Sequence, residues 1–187
     1  MRFDLRPRIT SSGQGIAYIT NSSNESRNRI VIMDLGKKVS WRQLDGSPMV
    51  RPEFLSTSVI WGEPVDSITG SGSILSGSDG TDGITLSNDG DTLCWTAVGS
   101  RYLYSTSIVR LRDNGPTSEL LAQGSVNSHS QLGSSDGLEI DSNGLNYTGS
   151  WAQNATNVFD TASGMVNVLV KGPRICYADG WLDLFYE

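Results

Sequence analysis

Few side chains in this sequence are suited to catalysis. Its one histidine, His129, lies in a stretch rich in Ser, Asn and Gly. A catalytic triad would need a nucleophilic serine and an oriented acid beside that histidine. The sequence has no phosphate-binding G-x-x-x-x-G-K-[ST] loop, no H-E-x-x-H helix and no G-x-G-x-x-G dinucleotide fingerprint. We therefore predict that the chain is not an enzyme and that His129 is a solvated loop residue.

Four aspartates fall within one run of turn residues, GSDGTDGITLSNDGDT; they are Asp79, Asp82, Asp89 and Asp91. Carboxylates and loop carbonyls at alternate positions suit Ca²⁺, a hard ion that prefers oxygen ligands. The EF-hand spacing and its terminal Glu are missing. Ordinary turn residues are therefore the favoured interpretation. These four are weak calcium candidates, and we predict no other cofactor.

Five tryptophans are spread along the chain, about one for each repeat described below; they are Trp41, Trp61, Trp95, Trp151 and Trp181. An exposed ring in each repeat would stack on sugars and make the protein a lectin. Trp95 and Trp151 are the weak candidates for such ligand binding. The five rings do not occupy equivalent places in the repeats, so we favour packing in the core or between sheets.

Composition and charge exclude several classes of partner. The 187 residues carry 14 Lys/Arg against 20 Asp/Glu, a net charge of -6. Binding of nucleic acid or of an anionic membrane requires basic clusters, so neither is expected. The N-terminal segment lacks the apolar core of a signal peptide, and no apolar run approaches the roughly 18 residues of a membrane span. We expect a single domain over 1–187 and leave its location open between virion and cytoplasm.

The two cysteines, Cys94 and Cys176, lie far apart in strand-like runs. Two such residues are too few for a zinc site. Buried free thiols are the favoured interpretation, and a disulfide between them remains the alternative.

Strand patterns dominate the chain. Short runs of β-branched and aromatic residues alternate with clusters of Gly, Asn, Asp and Ser, which favour tight turns. The best helical run, at 118–123, is too short for a stable isolated helix. Residues 66–83 are mostly Ser, Gly, Thr and Asp, which predicts a long loop or a loose hairpin. The fold class expected is all-β.

One unit recurs along the chain: an apolar strand, a small polar turn and a strand that ends in an aromatic residue. Its copies lie at 9–18, 54–61, 84–95, 138–147 and 175–185. In three copies a strand with an Asp-led turn follows, at 29–36, 107–115 and 157–164, and then another strand, at 39–44, 118–124 and 165–172. Four strands in roughly 40 residues are typical of a propeller blade.

The segments PRITSSGQGIAYITNSSNESRNRIVIMDLGKKVSWRQL and ITLSNDGDTLCWTAVGSRYLYSTSIVRLRDNGPTSELL resemble TolB-type β-propeller repeats. The proline of that family's first turn is missing, whereas Gly13, Gly90, Gly144 and Gly180 are kept. The resemblance implies a propeller-like array of about four four-stranded antiparallel sheets. The alternative is a β-sandwich or jelly roll whose hairpins share Asn/Asp-Gly turns.

These observations favour a non-enzymatic structural or protein-interaction module. Four units and a terminal hairpin form an incomplete ring, and exposed strand edges invite association. We therefore expect a protein partner or a homo-oligomer, within a larger assembly such as a virion. A lectin is the second hypothesis. A glycosidase would need two carboxylates at a set separation, and no such pair can be located among 20 acids.

Overall fold

The structure is a computed structural model. It describes residues 1–4, 13–22, 27–54, 56–68, 70–76 and 79–179. Within these residues the strands form three four-stranded antiparallel sheets and two two-stranded hairpins. The predicted all-β, propeller-like array is therefore confirmed. In the same part of the chain, no helix is both long enough and apolar enough to cross a membrane.

Each four-stranded sheet is built from strands in chain order. Sheet 1 contains β1 (Arg2–Asp4), β2 (Ile16–Asn21), β3 (Arg29–Asp34) and β4 (Val39–Gln43). The small hairpins that follow pair β5 (Val59–Ile60) with β6 (Glu63–Pro64), and β7 (Asp66–Ile68) with β8 (Ile74–Ser76). Sheet 2 contains β9 (Thr81–Leu86), β10 (Thr92–Ala97), β11 (Tyr102–Ser107) and β12 (Asn127–Gln131). Sheet 3 contains β13 (Leu138–Ile140), β14 (Leu145–Ser150), β15 (Ala155–Asp160) and β16 (Met165–Lys171).

Sheet 2 lies between the other two sheets. Its first strand, β9, contacts β1 and β2 of sheet 1 on one side and β13 of sheet 3 on the other. The first strands therefore surround a common centre, as the inner strands of propeller blades do. The outer strands β12 and β16 also lie against each other.

Alternation of side chains along the strands builds two cores. In β3, Ile30 and Ile32 are fully buried, whereas Val31 and Met33, which alternate with them, are half-buried, and this is the two-residue period of a strand. The core between sheets 1 and 2 contains Ile16, Tyr18, Ile30, Ile32, Ile84, Leu93, Trp95 and Tyr104. The core between sheets 2 and 3 contains Cys94, Leu103, Leu132, Leu138 and Phe159. The two cysteines are free thiols, and burial raises the pKa of Cys94 to about 12.

The prediction of strands at 107–115 and 118–124 is wrong, because these segments contain the short helices α1 (Ile108–Arg112) and α2 (Ser118–Gly124). Contacts with sheet 1 hold them. The Trp41 indole N–H donates to the Leu111 carbonyl at 2.8 Å. The Glu119 carboxylate accepts the backbone N–H groups of Leu44 and Asp45, each at 2.9 Å. Tertiary contacts thus stabilise helices that would not persist in isolation.

The second predicted unit, at 54–83, does not form a four-stranded sheet. After a 3-10 turn (Pro48–Val50), this segment crosses the end of sheet 2. Glu53 N–H donates to the Gly99 carbonyl at 3.0 Å, and the Ser58 hydroxyl to the Val98 carbonyl at 3.1 Å. The Trp61 indole N–H then reaches the Pro173 carbonyl beyond sheet 3, at 3.0 Å. The Ser/Gly-rich stretch 66–83 contains the β7–β8 hairpin and the start of β9.

Candidate functional site

The first candidate site is a group of three aspartates near the centre of the array, named here the axial aspartate cluster: Asp82, Asp136 and Asp179. Each is followed directly by glycine, in the segments TDG, SDG and ADG. Asp82 is the second residue of β9, and Asp136 lies two residues before β13. The three aspartates of the cluster therefore come from three successive segments of the chain, each of which reaches the centre of the molecule.

Glycine permits this convergence. A Cβ atom on Gly83 would lie 2.6 Å from the Asp136 carbonyl oxygen. A Cβ atom on Gly137 would overlap the Asp179 carbonyl oxygen. Each aspartate backbone thus packs on the glycine of the preceding Asp-Gly pair, at a distance that any larger residue would prevent.

Burial and mutual repulsion change the protonation of the cluster. Burial raises the pKa of Asp82 to about 7, and the hydrogen bond to Asp136 and the charges of Asp136 and Asp179 act in the same direction. Burial also raises the pKa of Asp179, assisted by the Asp136 charge. The Tyr177 hydroxyl donates to Asp136 Oδ2 at 2.9 Å. The Asp82 carboxyl group therefore gains or loses its proton near neutral pH.

We predict that this cluster makes stability depend on pH. The pKa of Asp82 is raised from 3.8 in the unfolded chain to about 7 in the folded one, so its stabilising contribution is full below pH 3.8 and is lost as pH rises through 7. Asp82→Asn, which mimics the protonated form, is expected to gain about 1–2 kcal/mol relative to wild type at pH 8, once solvent screening of this half-buried group is allowed for, and roughly a third of that gain at pH 5. Urea unfolding at both pH values measures the difference.

The matched control is Asp91→Asn, the same substitution in the exposed turn beyond the other end of β9. The gain assigned to Asp82 is the change between pH 5 and pH 8 in the Asp82→Asn effect that exceeds the change seen for Asp91→Asn. Equal changes for the two variants would contradict a raised pKa of Asp82.

The structure does not bring the four calcium candidates together. Asp79 and Asp82 lie at the start of β9, whereas Asp89 and Asp91 follow its end, roughly 20 Å away along a six-residue strand. Asp89 Oδ1 accepts the Ser87 hydroxyl at 2.6 Å and the Asp91 N–H at 2.9 Å, so this carboxylate organises its own turn. Among the described residues, no group of three or more His, Cys, Asp or Glu side chains is arranged to hold a metal ion.

Trp95 and Trp151, the two ligand-binding candidates, lie in the core. Trp95 is fully buried, stacks on Tyr104 at a centroid distance of 6.2 Å and donates its indole N–H to the Met49 carbonyl at 2.9 Å. Trp151 is 1% exposed and stacks on Tyr177 at 4.4 Å. Stacking of a sugar on either ring would require its neighbours to move. Trp181 and the other residues of the last predicted hairpin beyond 179 lie outside the described residues.

The prediction that His129 is a loop residue is wrong, because His129 lies in the outer strand β12. Its Nε2 is 2.8 Å from the Ser105 hydroxyl, and its ring centroid is 5.3 Å from that of Phe159. Burial lowers the pKa of His129. Since Ser105 is 5% exposed, the pair lies between sheets 2 and 3, where it supports their packing.

The segment GSSDG at 133–137 fits the G-x-S-x-G pattern of a nucleophile elbow. An elbow places its serine on an exposed turn between a strand and a helix. Here the segment precedes a strand, β13, and Ser135 is fully buried. The Ser135 hydroxyl donates to the Gly137 carbonyl at 3.0 Å and accepts the Gly149 N–H at 2.9 Å. These bonds hold the backbone that carries Asp136.

The second candidate site is the face of sheet 1 that points away from sheet 2, named here the outward face of sheet 1. It carries Ile19, Val31, Met33, Ser40 and Arg42, which pair across the strands in that register. The three apolar residues are half-buried, and Ser40 and Arg42 are exposed. An open hollow of about 430 Å³ is lined by Val31, Ser40, Trp41 and Arg42.

The outward face of sheet 3 is its counterpart at the other end of the array. Opposed pairs place Val158 beside Asn167, and Asp160 beside Met165. Met165 is 58% exposed, and Val170, on the same face, is 45% exposed. Glu139 and Tyr147 complete this face on the inner strands. On this face the exposed apolar groups lie on the outer strand β16, whereas Val158 is 8% exposed and a Cβ atom on Gly149 would lie 2.7 Å from the Ala178 carbonyl oxygen.

Comparison with known proteins supports the fold. No protein-family model and no curated protein matches the chain. A solved nidogen/laminin complex contains a similar chain, with a TM-score of 0.53 and 10% identity over 87% of this chain and 45% of that one. Regucalcin from Agrobacterium tumefaciens (13% identity, 82% and 43% coverage) and virginiamycin B lyase from Staphylococcus aureus (13%, 82% and 58%) have TM-scores of 0.36. These neighbours are propeller folds, and the chain spans 43–58% of their length.

Proposed function

We propose that the chain is a non-catalytic interaction module of the propeller type, which binds protein through the outward faces of sheets 1 and 3. The observation that carries this proposal is the exposure of Met165 and Val170 on a sheet face. In a propeller, each blade buries both faces against neighbouring blades. Sheet 2 does so, whereas the outer strands of sheets 1 and 3 keep exposed residues on the face that points away from sheet 2.

Burial of these faces supplies the driving force. Removing a large aliphatic side chain from water contributes about 1.5–3 kcal/mol when the burial is complete, and proportionately less for side chains already half-covered. Several such residues on each face, with a charged residue at the margin, have the composition of a protein interface. Among propellers, the strand-and-turn pattern favours a TolB-type repeat, in keeping with such a role.

A lectin is the weaker candidate, because Trp95 and Trp151 are buried. Trp61, at 63% exposed, is the ring that a sugar would reach, but it lies in the segment that crosses sheet 2 rather than in a repeated position. A shared sugar site would need equivalent rings in each repeat.

Site-directed photocrosslinking in cells that make the natural protein at its own level tests the proposal. A benzophenone amino acid in place of Met165 or Ser40 is expected to give discrete protein adducts. The matched control replaces Leu120, which is 74% exposed on α2, away from both faces. Adducts absent from both faces, or equally abundant at Leu120, would refute binding through these faces.

A further inference from the structure

We propose that three arginines at the end of sheet 1, named here the arginine cluster, bind the phosphate group of a phosphate monoester. The cluster contains Arg27, Arg29 and Arg51, which surround the turn that follows β4. Arg29 is the first residue of β3, and Arg51 directly follows the 3-10 turn. The site goes beyond the proposed function, because its ligand is one anionic group and not a protein surface.

Two guanidinium groups of the cluster meet beside Gly46. A Cβ atom on Gly46 would lie 2.9 Å from Arg27 Nε, 3.0 Å from Arg27 Nη2 and 3.0 Å from Arg51 Nη2. The two Nη2 atoms are therefore at most twice that last distance apart. Since a charge-assisted hydrogen bond from nitrogen to oxygen is about 2.7–2.9 Å long, the oxygens of one phosphate group can accept from both guanidinium groups.

The arginine cluster has more positive than negative charge. Among the described residues, its ion pairs are made with one carboxylate, that of Asp45, whose Oδ1 lies 3.6 Å from Arg27 Nε and 3.3 Å from Arg29 Nε. This buried oxygen accepts no hydrogen bond in that part of the chain. Arg51 makes no ion pair with any described residue. Three cations thus lie around one anion, although the whole chain has a net charge of -6.

Two other carboxylates near the cluster have partners of their own. Glu119 accepts the backbone N–H groups of Leu44 and Asp45, each at 2.9 Å. Glu53, two residues beyond Arg51, pairs with Arg101 at 3.1 Å. These carboxylates reduce the positive potential of the arginine cluster but leave its own N–H groups available.

Backbone carbonyl groups hold two of the arginines in place. Arg27 Nη2 donates to the Asp45 carbonyl at 2.8 Å, and Arg29 Nε donates to the Arg27 carbonyl at 2.8 Å. The Arg29 side chain is 13% exposed, whereas that of Arg27 is 63% exposed. The cluster therefore combines a fixed, largely buried cation with two cations that an anion in solution can reach.

The excess of charge and the number of donors favour a phosphate monoester. A monoester carries nearly two negative charges at neutral pH and three strong acceptor oxygens, which suit the forked N–H groups of arginine. A carboxylate has one charge and two oxygens, so it matches the cluster less well. A nucleic-acid strand would need basic residues along its whole path. The phosphate group therefore belongs to a small molecule or to a phosphorylated side chain.

The test is a titration of the purified 187-residue chain with phenyl phosphate at pH 8 and constant ionic strength, followed by NMR of the arginine Nε–H signals. Saturable shifts of Arg27 and Arg29 are expected, with a Kd on the order of 1 mM. Arg27→Gln and Arg51→Gln should each weaken binding about tenfold, because each removes charge-assisted hydrogen bonds. The matched control is Arg110→Gln, which removes an exposed arginine from α1 and should leave the affinity unchanged.

Two further titrations identify the source of the phosphate group. Dimethyl phosphate keeps the tetrahedral group with a single charge, so it should bind several-fold more weakly than phenyl phosphate. A short phosphoserine peptide that binds much more tightly than phenyl phosphate would assign the group to a protein, and similar affinities would assign it to a small molecule. Shifts that do not saturate, that sodium chloride reproduces, or that persist unchanged in Arg51→Gln would overturn the inference.

Discussion

Trp95→Ala is expected to lower the free energy of unfolding by about 3–5 kcal/mol, the range for aromatic side chains deleted from a core. Trp95 is fully buried between sheets 1 and 2, where it contacts Tyr104, and its indole N–H bonds to the Met49 carbonyl. The substitution leaves both a cavity and an unpaired carbonyl. Urea unfolding followed by circular dichroism measures the loss, and thermal unfolding should show a decrease in Tm of about 6–20 °C.

Trp61→Ala is the matched control, because it removes the same side chain from a site that is 63% exposed. Its hydrogen bond to the Pro173 carbonyl is exposed to water, so a loss below about 1 kcal/mol is expected. Equal losses for the two variants would show that Trp95 does not hold the two sheets together. The comparison also distinguishes packing from ligand binding, because removal of a fully buried ring lowers the free energy of unfolding even when no ligand is present.

The strands were predictable because their signal is local. Alternation in RIVIMD and the turn glycines at 90 and 144 specify hairpins without reference to the remainder of the chain. Gly144 has a φ of +85° in the β13–β14 turn, a conformation that favours glycine. Where side-chain period and turn residues agree, the sequence indicates the element directly.

The helices and the crossing segment were not predictable in the same way. SIVRLRDNG contains β-branched residues and an Asp-Asn-Gly turn signal, yet it forms α1 because Trp41 and Arg112 bond across the sheets. Arg112 Nε donates to the Tyr18 hydroxyl at 2.7 Å. The segment that follows Val50 is placed by its contacts with Gly99 and Val98. Such long-range contacts override local propensity.

The axial aspartate cluster had a sequence signal that the repeat alignment did not use. Aligning the repeats on the turn glycine and the terminal aromatic compared SNDG with DSNG and ADG. The structure aligns TDG, the first three residues of β9, with SDG, which directly precedes β13, and it places ADG against Gly137. The three Asp-Gly pairs can therefore be found in the sequence. Whether they lie close together depends on the order of the sheets around the centre, which the sequence pattern does not specify.

Gly137→Ala is expected to lower the free energy of unfolding by about 2–3 kcal/mol, because the added methyl group would overlap the Asp179 carbonyl oxygen. Backbone atoms cannot yield as a flexible side chain does, so the segment that carries Tyr177 and Asp179 must shift. That shift breaks the bond from the Tyr177 hydroxyl to Asp136. Gly172→Ala is the matched control, since a Cβ there meets no atom within 4 Å, and a change below about 0.5 kcal/mol is expected.

The same variant links packing to protonation. Moving Asp179 away removes one of the charges that raise the pKa of Asp82, so the loss of stability between pH 5 and pH 8 should be smaller in Gly137→Ala than in wild type. Urea unfolding at both pH values, together with amide hydrogen exchange of residues 177–179, measures the two effects. An unchanged pH dependence with faster exchange would show that Asp179 acts on the fold but not on the proton of Asp82.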